Sequence, residues 1–255
     1  MTTFKFVKMF RAVIFDLDGT LANTLEDIAD NMNRVLAQKG FPTHQYDAYR
    51  YFVGNGIHNL VIRSLPENAR TEAMIADCHD RMIAEYNLNY INKTHLYDGV
   101  PELLDTLSLK GIKLAILSNK ADQLTQKICL KLLKNWKFDA IIGASERFPR
   151  KPDPASALFI CEQMGVAPAQ VCYLGDSDVD MKTAIAAGFY AVGAVWGFRT
   201  KEEVLENGAM QVIDNPIKLL SIILMKAVLK IKPLFAQPPL VPRAVKLFCN
   251  IQVYI

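Results

Sequence analysis

The chain is poor in the features that mark several large classes of protein. Its five cysteines, Cys78, Cys129, Cys161, Cys172 and Cys249, are scattered without a CxxC spacing, and an odd, unpatterned set argues against a disulfide framework. A reducing, cytoplasmic setting is the simplest expectation. The four histidines, His44, His58, His79 and His95, show no HExxH or other metal-ligand spacing, so they are expected at the surface. No apolar run is long enough to span a membrane. Lys5 and Lys8 interrupt the partly apolar start, Met1 to Phe10, which lacks a continuous hydrophobic region and a small-residue cleavage site, so a signal peptide is not expected. Acids are missing from residues 221–255, which carry Lys226, Lys230, Lys232, Arg243 and Lys246; the formal charge of +3 therefore leaves residues 1–220 at −2, with no basic face for nucleic acid.

What is present suits a soluble globular chain. With 51% hydrophobic and 22% charged residues over 255 positions, it can bury a substantial core as one domain, or as one domain carrying an insertion. The most informative stretch is Ala12-Val-Ile-Phe-Asp-Leu-Asp-Gly-Thr20. Four apolar residues, two of them β-branched, predict a buried strand that ends on Asp16 and Asp18. Residues two apart in an extended segment share a face. Two like charges so close should differ in proton affinity, which makes one a nucleophile and its neighbour an acid or base. A plain strand followed by an acidic turn would look the same.

The pieces downstream distinguish these. Asp16 to Thr20, Ser118-Asn119, Lys151-Pro152 and Gly175-Asp-Ser-Asp-Val-Asp180 resemble, in order, the four signatures of the haloacid dehalogenase superfamily, over roughly residues 10–220. In that superfamily an Asp two positions after the nucleophile goes with phosphoryl transfer, and Asp18 stands there. The resemblance implies an Mg²⁺-dependent phosphatase acting on a small phosphorylated metabolite, with Asp16 as nucleophile and Asp18 as general acid and base. Asp16 and Asp176 are the expected carboxylate ligands of Mg²⁺, joined by the backbone carbonyl of Asp18, with Asp180 behind them. Ser118, the backbone N–H of Asn119 and Lys151 would hold the phosphoryl group. A phosphomutase of the β-phosphoglucomutase type, a phosphatase of sugar phosphates or nucleotides, and a binding protein that has kept the fold are the alternatives.

Periodicity supplies the frame. We expect an α/β fold, a Rossmann-like parallel sheet with helices on both faces, carrying an inserted all-helical cap. The core is expected at 10–22 and 96–224, the cap at 23–95 and a tail at 225–255. Within the insertion, helices are predicted over Leu25 to Gly40, Tyr46 to Phe52, Ile57 to Leu65 and Glu67 to Tyr90, with no strand from Phe41 to about Tyr90. From Tyr97 onward short apolar strands alternate with helices, among them a short helix near Lys201 to Glu206 and one over Pro216 to Leu224. Asp16, Ser118 and Asp176 each fall just past the end of a predicted strand, so they should meet at one sheet edge.

The tail is broken by Pro233, Pro238, Pro239 and Pro242, and its Ala244 to Ile255 stretch has weak strand character. It is either a poorly ordered extension or a basic, apolar segment for a membrane surface or a partner. In the insertion, Tyr51 to Ile57, continuing through Arg63 to Leu65, resembles the cap of bacterial phosphoglycolate phosphatases. A Gly54-Asn55-Gly56 loop at a helix start offers free N–H groups to a small carboxylate, and Arg63 would add a bidentate contact. A helix–helix connector with an exposed arginine is the other reading. Nothing in the sequence favours a monomer over a homodimer.

Overall fold

Ala12, Val13, Ile14 and Phe15 are apolar on both sides of the chain, which suits a strand buried on both faces. They form β1 (Ala12–Phe15), and none of the four is exposed. The computed structural model describes residues 10–224, which lie within a single compact unit. Met1 to Met9, where no signal peptide is expected, and the tail with its expected strand lie outside the described residues.

β1 is the centre of a six-stranded sheet in the order β5-β4-β1-β6-β7-β8, formed with β4 (Lys113–Ala121), β5 (Ala140–Ala144), β6 (Val171–Gly175), β7 (Tyr190–Ala194) and β8 (Gln211–Ile213). Every neighbouring pair is parallel. Phe15 lies opposite both Ile116 and Leu174, so the middle of β4 and the end of β6 flank the end of β1. The chain leaves β1 for opposite sides of the sheet, and that reversal opens a crevice at the carboxyl edge.

Alternation along β1 sorts the core into two layers. Val13 and Phe15 pack with α5 (Val100–Leu109), α6 (Asp122–Leu132) and α10 (Leu219–Ile223). Ala12 and Ile14 face α7 (Ala155–Met164), α8 (Asp178–Ala186) and α9 (Lys201–Glu206) on the other side. Burying each such large side chain stabilises the fold by about 1.5–3 kcal/mol. The result is the expected Rossmann-like α/β fold with helices on both faces of the sheet. No helix among the described residues is long and apolar enough to cross a membrane.

Between Asn23 and His95 lie α1 (Leu25–Gln38), α2 (Tyr46–Phe52), α3 (Gly56–Ser64) and α4 (Glu72–Asn89). Their apolar faces make a third cluster around Met32, Leu36, Tyr49, Val61, Met82 and Tyr86, which Leu124 and Phe198 join from the sheet side. β2 (Ala22–Asn23) and β3 (His95–Leu96) pair antiparallel where the chain leaves and returns. His58 and His95 are exposed, whereas His44 and His79 are half-buried. The His44 Nε2 lies 2.8 Å from the Ser64 carbonyl.

Three local expectations need correction. The helix expected over Glu67 to Tyr90 is interrupted: Glu67–Ala69 is a 3-10 turn, and α4 starts after Thr71, whose Oγ1 accepts from the Met74 N–H at 3.2 Å. A threonine that caps is a start signal, not an interior residue. β4 runs on to Ala121 with a register shift against β5 between Leu117 and Ala121, so Ser118 and Asn119 lie inside the strand rather than after it. The helix expected over Pro216 to Leu224 begins as a 3-10 turn, Pro216–Lys218, before α10.

Candidate active site

Asp16 follows β1 directly, and Asp176 follows β6, its hydrogen-bonded neighbour. The sheet therefore sets two carboxylates side by side without help from the loops. Asp180 joins them from the first turn of α8. One carboxylate oxygen of each residue lies within 4.8 Å of the others, and all three residues are buried. Gly19 makes the approach possible. Its φ is +86°, and a Cβ there would stand 2.4 Å from the Asp176 Oδ2, so a side chain is excluded both by conformation and by space.

Each carboxylate is held. Lys151 Nζ donates to Asp16 Oδ1 at 2.9 Å, to Asp180 Oδ1 at 2.7 Å, to the Leu117 carbonyl at 3.0 Å and to the Tyr173 hydroxyl at 3.2 Å. Thr20 Oγ1 donates to Asp176 Oδ1 at 3.1 Å and the Phe198 N–H to Oδ2 at 2.7 Å. Asp180 also accepts from the Ser177 N–H and hydroxyl, at 3.1 and 2.6 Å, as half of a capping box that starts α8. Asp180 is thus both a helix cap and a wall of the cluster. With both oxygens engaged, it is better placed to orient its neighbours than to bind a ligand itself.

Three buried carboxylates stand together with one buried lysine, which pairs with Asp16 and Asp180 but not with Asp176, so with all three ionised the cluster carries two negative charges in excess. Burial first, then the nearby Asp180 charge, raises the Asp16 proton affinity well above its usual value, against the pull of Lys151. The same two causes push Asp176 up to about 7. For Lys151, burial opposes the charge, but Asp16 and Asp180 outweigh it and hold the ammonium charged. An oxygen-only donor set with two uncompensated negative charges fits a hard divalent cation such as Mg²⁺.

Asp18 is set apart from this cluster. Its carboxylate accepts from Thr24 Oγ1 at 2.7 Å and forms a bidentate pair with Lys120, whose Nζ is 3.0 Å from both oxygens. Ser118 Oγ accepts from the Lys120 N–H at 3.2 Å. The Asn119 side chain accepts from the Lys151 N–H at 2.9 Å and donates to the Lys151 and Gly54 carbonyls, each at 3.1 Å. Ser118, Asn119 and Lys151 therefore do stand with Asp16 and Asp18, in a cleft of about 670 Å³ that is partly open to solvent. Gly54, Gly56, Ile57, Leu60, Met82 and Tyr86 wall it on the helical side.

Two expected cap residues are not brought to it. Arg63 donates to the Tyr51 and Phe52 carbonyls at 2.9 and 3.3 Å, closing the end of α2. Asn55 precedes α3 and gives its carbonyl to Asn59, and it does not line the cleft. The cations that do line it besides Lys151 are Lys120 and Arg199, neither singled out from the sequence. Arg199 donates to the carbonyls of Arg50 and of Val53, the latter at 3.0 Å, and Arg50 donates to the Gly197 carbonyl at 3.1 Å. These bonds, with Asn119 to Gly54, tie the helical segment to the sheet edge. Lys120 had one sequence signal, its place directly after the Ser118-Asn119 pair.

The family model for haloacid dehalogenase-like hydrolases matches residues 13–194. A phosphoglycolate phosphatase of Haemophilus influenzae is 32% identical over 220 residues, spanning 84% of this chain and 98% of that protein. One from Pseudomonas putida is 33% identical over 213 residues, covering 80% of this chain and 76% of its own. Among solved structures, a predicted phosphoglycolate phosphatase of Haemophilus somnus superposes with a TM-score of 0.79 at 27% identity, over 86% of this chain and 99% of the other. Matched over most of its length, and with the matched segment carrying the acidic cluster and the cleft, the chain belongs to the haloacid dehalogenase-like hydrolase family.

Proposed function

We propose that this chain is an Mg²⁺-dependent phosphatase of small phosphate monoesters bearing a carboxylate, with 2-phosphoglycolate the leading substrate, and that residues 23–95 serve as a cap over a core of 10–22 and 96–224. The observation that carries the reading is Asp16 at the sheet edge, fixed by Lys151 at 2.9 Å, with Asp18 on the same short loop beside it. The phosphoglycolate phosphatase relatives and a cleft walled by the helical segment support the substrate class.

Asp16 would attack phosphorus, so that the P–O bond to the leaving group breaks as an aspartyl-phosphate forms. Asp18 would give its proton to the departing alkoxide and then take one from the water that hydrolyses the acyl phosphate. Thr24 and Lys120 hold the Asp18 carboxylate in place for both steps. Ser118, the Asn119 N–H and Lys151 would hold the phosphoryl oxygens and offset their charge. Asp16, Asp176 and the Asp18 carbonyl would hold Mg²⁺, with Asp180 orienting them. The cation, when bound, would neutralise phosphoryl charge that otherwise repels the nucleophile.

The test is phosphate release from 2-phosphoglycolate and from an uncharged sugar phosphate of similar size. Release that needs Mg²⁺, stops with a chelator and favours the carboxylate supports the reading. Equal rates on both substrates would remove the substrate class and leave the phosphatase. Asp18→Asn should lower turnover of alkyl phosphates by roughly 10² to 10⁴-fold. In kcat/KM, which reports formation of the aspartyl-phosphate, an aryl phosphate, whose leaving group needs little protonation, should lose less than an alkyl one, and equal losses in kcat/KM would exclude Asp18 as the acid.

A further inference from the structure

With Arg63 turned away, the groups facing a substrate's non-phosphoryl end must come from elsewhere in the cleft. Tyr86 on α4 is 1% exposed and lines the cleft. Its hydroxyl is the one buried side-chain nitrogen or oxygen among the described residues without a hydrogen-bond partner. Folded chains seldom keep such an atom without a use, because burying it unpaired is destabilising. Lys120 is close enough for its charge to act on that hydroxyl, against the effect of burial, but its Nζ stands over the ring face, 4.7 Å from the centroid, and gives its bidentate pair to Asp18, so no hydrogen bond of normal geometry reaches the Tyr86 oxygen. Burial pushes the Tyr86 hydroxyl up to about 12, so it remains a donor at neutral pH.

The surroundings narrow the ligand. Ile28, Leu60 and Met82 line the same part of the fold as Tyr86 and are apolar, so they offer nothing to a sugar's ring of hydroxyls. An O–H donor beside an ammonium, in an apolar wall, suits a compact anion that accepts hydrogen bonds. We propose that the Tyr86 hydroxyl, with Lys120 beside it, is the specificity-determining contact for the carboxylate at the non-phosphoryl end of the substrate. The inference rests on the carboxylate-bearing substrate class proposed above, and it names the residue that selects it. Ser118 and Lys120 both come from the end of β4 and line the cleft, so one strand end would address both ends of one small molecule.

Tyr86→Phe removes the hydroxyl and keeps the ring. The measurement is the ratio of kcat/KM for 2-phosphoglycolate to that for its isosteric amide, 2-phosphoglycolamide, in wild type and variant, with Tm recorded for both. The expected result is a ratio lower by about tenfold to a hundredfold in the variant, as for a lost hydrogen bond to a charged group, with Tm equal or higher because no internal bond was lost. A ratio changed by less than about fivefold, or a Tm lower by several degrees, overturns the assignment. A wild type that does not distinguish acid from amide refutes the substrate class itself, whatever the variant does.

Discussion

Asp16→Asn should reduce phosphate release to the uncatalysed background on alkyl and aryl substrates alike. An amide cannot accept the phosphoryl group, and a better leaving group does not help a step that has no nucleophile. The fold should survive. The substitution removes one of three carboxylates that repel each other in a buried cluster, while Lys151 keeps Asp180, Tyr173 and the Leu117 carbonyl. Tm should therefore stay level or rise. Phosphate release and a thermal melt on the same preparation decide it. A loss of only about 10²-fold, within the range of a missing acid or base, would mean that Asp16 assists and does not attack.

Lys151→Met should cost the most stability of any single change in the site. The ammonium is 3% exposed and is the one cation paired to Asp16 and Asp180 among the described residues. Its removal leaves buried charge uncompensated, which typically costs about 3–5 kcal/mol. For a chain of this size that corresponds to a fall in Tm of roughly 6–20 °C. Methionine fills most of the volume, so packing alone contributes little. Added Mg²⁺ should recover part of the loss by binding the folded state. A Tm within about 2 °C of wild type, less than 1 kcal/mol for a chain of this size, would show that the carboxylates relax or take up protons at little cost.

Much of this arrangement was legible in the order of residues. The strand before Asp16, the strand before Asp176 and the cap of α8 are local patterns, and two apolar strands that end on acids identify a sheet edge before the sheet is seen. Helices Tyr46–Phe52 and Lys201–Glu206 have the bounds their periodicity gives. What local pattern does not carry is which way a helix faces and where it ends relative to another segment. Gly56, Ile57 and Leu60 in α3 reach the cleft, but Arg63 lies seven residues, about 10 Å, along the axis from Gly56 and meets the end of α2 instead. Lys120 and Tyr86 were missed for a related reason. Their roles arise from the meeting of β4 with α4, which are far apart in sequence, and neither residue sits in a motif. The β2 and β3 pair is likewise two residues long on each side and joined across the whole insertion, too short for any pattern.

The central claim, that Asp16 is phosphorylated during turnover, has a direct test in the Asp18→Asn protein. An aryl phosphate would phosphorylate Asp16 with little need of an acid, while hydrolysis of the acyl phosphate would be slow without its base, so the intermediate should accumulate. Acid quenching after mixing with Mg²⁺ and substrate, followed by peptide mass mapping, should find one phosphoryl group on the peptide that carries Asp16. A protein that still turns over but shows no adduct, or carries it on another residue, would contradict the account.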